Sequence, residues 1–238
     1  MSGRKKGDYR AVFSELIDAL PGVINLQECV LDFESALWQV LPQLFPHVRL
    51  RGCSFHWAQA VWRHAQQLGL QVPYKEDERV HRWLRRLLAL PYLPVAAIPQ
   101  ALTELQSKVR ESRVLTELAG YVERTWLHSS AWPPRCWSVY GRSIRTNNDV
   151  EGWHNRLNQK ARKPSLPLYL LIDLLHRESC LVKIHVRLVT EGKLRRHQRA
   201  KYRSLQGRLF DEWDNFSGGR KTAKELLEAC AKVFGPPV

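Results

Sequence analysis

Three short stretches of this 238-residue chain carry the residues whose types and spacing could do chemistry. Asp32 follows Val30-Leu31, and an acid at the end of a strand faces the cleft of an open α/β sheet, a recurrent place for a metal ligand. Cys53-x-x-His56 has half the spacing of a zinc site and no second close pair. The third stretch runs from Arg145 to Asn158, Arg-Thr-Asn-Asn-Asp-Val-Glu-Gly-Trp-His-Asn-Arg-Leu-Asn. Its helical reading puts Glu151, His154, Asn155 and Asn158 on one stripe, able to point at one place. Val150, Trp153 and Leu157 fall on a neighbouring core-facing stripe, and Thr146 with Asp149 reads as a capping box at the helix start. Asp32 and Glu151, brought together across a fold, could hold Mg²⁺ or Mn²⁺ for in-line attack on a phosphodiester.

Each feature also has a plain structural explanation. Asp32 can cap the helix that begins at Phe33, with Glu34 as a partner of the helix dipole. Cys53 and His56 can be a buried thiol and a satisfied imidazole, and so can Cys180 and His185 further on. Trp62, Trp83 and Trp126 lie on helical stripes and read as core before they read as base-stacking platforms.

The elements that must position these residues follow from periodicity. Tyr9 to Leu20 repeats with helical period and ends at Pro21-Gly22. Val23 to Leu31 reads as a strand, Phe33 to Phe45 as a helix, Val48 to Cys53 as a second strand and Phe55 to Leu68 as a helix closed by Gly69. Helix and strand alternating with short joints is the pattern of a parallel sheet. From Glu76 to Trp126 the pattern is helical, with apolar stripes at Val80, Trp83, Leu84, Leu87 and Leu88, then Leu102, Leu105 and Val109, then Leu115, Leu118, Val122 and Trp126. Trp132 to Trp137 reads as a loop, and the helix from about Pro167 to Thr190 is apolar on more than one face, as a central helix would be.

The charge balance is strongly basic. Against 37 Lys and Arg stand 23 Asp and Glu, a formal charge of +14 and a pI near 9.9. A folded domain so charged favours a polyanion, nucleic acid before membrane, because phosphate neutralisation releases counterions. DNA is the expected partner. Between Gly192 and Leu209 seven Lys and Arg occur without an acid, among them Arg195, Arg196, Arg199 and Arg203. No apolar run is long enough to span a bilayer, and Arg4, Lys5 and Lys6 are followed by Asp8 and Arg10, not by an apolar leader segment. Five scattered cysteines, an odd number, fit a reducing compartment, so the expected location is intracellular, the nucleus in a eukaryote.

Together these pieces resemble the Mutator-like element (MULE) transposase domain. The likeness runs through Val30-Leu31-Asp32-Phe33-Glu34-Ser35-Ala36, Phe45-Pro46 and Gly52-Cys53-Ser54-Phe55-His56-Trp57-Ala58-Gln59-Ala60 with Arg63. It continues through Gly69-Leu70, Leu90 to Pro94, Tyr121 to Trp126, Pro134, Trp137 and Arg145-Thr146-Asn147-Asn148, and ends at Glu151-Gly152-Trp153-His154-Asn155. It spans about residues 9 to 180. The resemblance implies an α/β, mostly helical chain with a partial ribonuclease H-like core over 1–70. A helical insertion over 71–140, core helices with the Glu-Gly-Trp-His motif over 141–190 and a basic helical tail over 191–238 would follow. Asp32 would be the second and Glu151 the third of three catalytic acids, working with Mg²⁺ or Mn²⁺ and facing each other across the cleft. Cys53 and His56 would be a candidate zinc or structural cluster near His154, with a polar cluster favoured over a full tetrahedral site. Arg145, His154, Arg156, Arg195, Arg196, Arg199 and Arg203 would contact DNA, and homo-oligomers would form as in transposases.

The first acid of that set belongs on an opening strand that this chain does not contain, since Asp8 precedes a helix. The resemblance therefore implies a transposase remnant without the DNA cleavage and strand transfer of its relatives. The alternative is a host-adopted, non-catalytic nucleic-acid-binding or interaction protein.

Overall fold

The computed structural model of the chain describes residues 3–162, 165–192 and 200–236. They form two compact units, Met1–Thr146 with Gln206–Val238, and Asn147–Leu205. The fold is mostly helical with one two-stranded parallel sheet. In chain order the first unit holds α1 (Lys6–Ala19), β1 (Glu28–Leu31), α2 (Ser35–Leu44), β2 (Arg49–Gly52), α3 (Ser54–Gln67), α4 (Gln71–Glu76) and α5 (Glu78–Leu88). Next come α6 (Ile98–Ser107), α7 (Arg113–Val122) and the short α8 (Pro134–Trp137). The second unit carries α9 (Asn148–Ala161) and α10 (Leu168–Thr190), after which α11 (Ala200–Ser217) and α12 (Ala223–Val233) return the chain to the first. None of the described helices is long and apolar enough to cross a membrane.

Parallel neighbours require a crossover, and α2 is that crossover. The register pairs Glu28 with Arg49 and Leu31 with Gly52. Backbone bonds from Arg49 to the Gln27 carbonyl (2.9 Å) and from Cys53 to the Leu31 carbonyl (2.8 Å) close its two ends. The first strand is shorter than the run from Val23 predicts. A ladder is no longer than the partner it pairs with, and β2 offers four residues. Val23, at 99% exposure, lies on an irregular segment before it. Gly52 has no room for a side chain, because a Cβ there would lie 2.2 Å from the Phe33 ring. That ring is itself held edge-on against Trp126 (4.7 Å) and Trp132 (5.6 Å).

The three helical stripes read from the sequence between Val80 and Trp126 are the core. Trp83, Leu84, Leu87 and Leu88 of α5 are buried with Leu102 and Leu105 of α6 and Leu115, Leu118 and Val122 of α7. Asp77 caps α5, accepting from the Arg79 and Val80 amides at 2.7 and 3.3 Å, and those bonds hold its carboxyl below the usual range. Trp126 sits on a π-helical turn, Glu123–Leu127, and is buried with Trp57 and Trp137. Leu209, Trp213, Leu226 and Cys230 of the last two helices join the same core. Arg85 Nε donates to the Ala231 carbonyl at 2.6 Å and Trp213 Nε1 to that of Tyr92 at 2.9 Å.

The second unit departs from the sequence reading in three ways. The cap position of α9 falls on Asn147, not Thr146, and no side-chain capping bond forms there. Val150, expected to face a core, is 53% exposed. Along α10 the side chains of Leu168, Tyr169, Ile172, Val182, Ile184 and Val186 are exposed, so the helix is not central. Apolar periodicity marks a face that can be covered, and among the described residues of this unit α9 is the helix that packs on α10.

Candidate metal centre at the strand ends

Register explains why chemistry collects at one edge of the sheet. Because Leu31 pairs with Gly52, the residues that follow, Asp32 and Cys53, leave adjacent parallel strands side by side. Cys53 is fully buried and is the N-cap of α3, and His56 lies in the first turn of that helix, so both project at the strand ends. One ligand atom each from Asp32, Cys53 and His56 lie within 4.8 Å of one another. His56 Nδ1 lies 2.8 Å from Asp32 Oδ1. Carboxylate, thiol and imidazole are the donor set of a transition-metal site, and among the described residues this is the one group of three with such spacing.

Neighbouring groups fix the loops that present these donors. Trp38 Nε1 donates to the Asp32 carbonyl at 2.8 Å, and the Glu34 amide donates to the same oxygen at 2.8 Å. The Ser54 amide and hydroxyl both donate to the Arg145 carbonyl, at 2.9 and 3.0 Å. Arg145, expected to contact DNA, is thereby joined through its backbone to the first turn of α3, while its guanidinium donates to the Arg142 carbonyl at 3.3 Å. Behind the cluster Tyr92 is buried, and desolvation pushes its phenol well above the ordinary value.

Next to this edge lies a recess of about 410 Å³ whose lining includes Trp38, Pro42, Arg49, Arg51 and Arg135. Glu28 gathers the nearby cations, with Arg142 at 2.9 Å, Arg51 at 3.4 Å and Arg49 at 3.9 Å. Arg51 also donates to the Arg135 carbonyl at 2.7 Å, whereas the Arg49 side chain stays 65% exposed.

The other predicted residues stand in the second unit. Glu151 is partly exposed on α9, and His154 and Arg156 are exposed there. Arg156 contacts Glu178 at 3.6 Å and Lys160 pairs with the same acid. Lys160, then Arg156, hold the buried Glu178 carboxyl below its usual range. The sequence reading passed over Glu178, and its signal was weak, one of two acids on an otherwise apolar helix. Cys180, read with His185, instead has His176 beside it at 3.9 Å, one turn earlier. Arg195, Arg196 and Arg199 lie outside the described residues, and Arg203 falls within α11.

Glu178 makes a pH prediction. A carboxyl whose folded pKa is depressed contributes stability above its unfolded value and loses it as pH falls through the folded one. Helicity of the α9–α10 pair should therefore melt at lower temperature in acid than at neutral pH. Glu178→Gln should flatten that dependence, read by circular dichroism across the carboxylate range.

No protein-family model, no curated protein and no solved structure matches the chain.

Proposed function

We propose that the chain is a nucleic-acid-binding domain of MULE-transposase descent that does not cut DNA. One observation carries the reading. A parallel strand–helix–strand unit sets Asp32 and the Cys53–His56 pair side by side at the strand ends. Strand-end acids beside a Cys-x-x-His helix start are what the resemblance requires of its second-acid and cysteine–histidine blocks. The +14 charge and the arginine-lined recess suit a phosphate backbone, and contacts of that kind position a duplex without reading its sequence.

The chemistry is where the likeness stops. Two-metal phosphoryl transfer needs several carboxylates around paired ions. Within this chain Asp32 and Glu151 match acids of the set, while Asp8 sits in the first turn of α1 with its carboxylate on the Lys5 amide at 2.9 Å. The expected result is duplex binding that weakens with salt and no nicking or strand transfer in Mg²⁺ or Mn²⁺. Strand transfer that disappears in Glu151→Gln would overturn this reading and make the chain an enzyme.

A further inference from the structure

We infer that Asp32, Cys53 and His56 together seat one transition-metal ion, with zinc the best fit. The inference rests on the geometry of the first unit and does not depend on descent from a transposase.

The donors come from two segments that the fold sets side by side, the end of β1 and the start of α3. Asp32 leaves β1 with its carbonyl pinned by the Trp38 indole. Cys53 leaves β2 and occupies the N-cap position of the 14-residue α3. His56 follows three residues on, within the first turn of the same helix. Around a tetrahedral zinc, bond lengths of about 2.0–2.3 Å place donor atoms roughly 3.4–3.6 Å apart. The three donor atoms already lie within 4.8 Å of one another, close to the spacing such an ion requires.

Donor type chooses the metal. Magnesium takes oxygen ligands in octahedral geometry and has no use for a thiolate, whereas sulfur, nitrogen and oxygen together suit zinc or cobalt. Binding displaces the proton of the Cys53 thiol, leaving a thiolate–metal bond, and the fourth position is open to water. The Asp32 side chain is 48% exposed, which gives that position a route to solvent. An Asp32 carboxylate held by zinc is withdrawn from any magnesium site. The ligands also tie the end of β1 to the start of α3, joining two segments that the short sheet alone holds weakly.

One other thiol–imidazole pair must be kept apart from this one, His176 and Cys180 on exposed α10. The test therefore uses the full chain carrying Cys180→Ser, stripped of metal and titrated with Zn²⁺ and Co²⁺. The expected result is one equivalent of zinc per chain. Cobalt should give intense tetrahedral bands in the visible and a sulfur-to-cobalt charge-transfer band in the near ultraviolet. Cys53→Ser should abolish the charge-transfer band, and Cys136→Ser, on α8 and outside the cluster, should leave it intact. Asp32→Asn should keep the band and weaken zinc binding by at least about tenfold. Zinc binding lost with Cys180→Ser alone, or a weak octahedral cobalt spectrum without the sulfur band, would overturn the inference. If Cys53→Ser does not fold, Asp32→Asn decides the matter from its half-exposed site, and unchanged zinc affinity there would overturn the proposal. DNA binding is measured on the same samples, so failure of the metal site and failure of the nucleic-acid reading are separate results.

Discussion

Trp57→Ala should destabilise the first unit by about 3–5 kcal/mol, the range for deleting a large buried aromatic side chain. The Trp57 side chain has no exposed surface, stacks on Trp137 with centroids 5.2 Å apart and meets Trp126 at 6.0 Å. These three indoles join α3 to the end of the helical insertion and to the loop that leads to Arg145. Marginal stability of about 5–15 kcal/mol leaves little after such a loss. Guanidinium unfolding followed by far-ultraviolet circular dichroism should show the midpoint fall. Trp57→Phe separates packing from polarity. The indole Nε1 of Trp57 is buried with no hydrogen-bond partner among the described residues, so phenylalanine removes that unsatisfied donor while keeping most of the ring contact. The Phe variant should lose clearly less than the Ala variant. Equal losses would mean that the three indoles are held together by shape at the outer ring of Trp57.

Much of the fold was legible because apolar stripes at helical spacing have one physical outlet, burial against another such stripe. That is why the stripes of α5, α6 and α7 read correctly from Val80 to Trp126. Strand lengths were less legible. Val23 and Ile24 have high β-propensity, but a strand exists only where a partner offers hydrogen bonds, and the partner is set by the register of Arg49 to Gly52. Helix α10 misled for a related reason, since apolar content states what a helix could bury and not what covers it.

The candidate site was half legible. Cys53 and His56 share a helix start, and that spacing is local. Asp32 joins them only through register, a non-local property that twenty intervening residues conceal. Trp38 could have been placed, being six residues after Asp32 on the helix that begins there, but nothing local says its indole turns back to the Asp32 carbonyl. Glu178 was invisible because its partners, Lys160 and Arg156, lie on another helix.

Replacing Arg195, Arg199 and Arg203 with glutamine should give the largest change in DNA binding. They recur every four residues in a stretch free of acids, the spacing at which cations align on one side of a helix. Cations so spaced serve phosphates and not base edges, so the loss should be the same for unrelated duplex sequences. Each phosphate contact contributes about 0.9 to the slope of log affinity against log salt, so three contacts lower it by about 2.7 in the triple variant. Between 50 and 200 mM salt that difference compounds to roughly 40-fold, with the wild-type chain losing more affinity than the variant. Zinc binding should not change, since none of the three arginines is a ligand of the Asp32 cluster. An unchanged slope with the fold intact by circular dichroism would show that this stretch does not meet phosphate. The arginines of the recess beside β2, with Arg49 the most exposed of the pair that contacts Glu28 from that strand, would then be the next residues to replace.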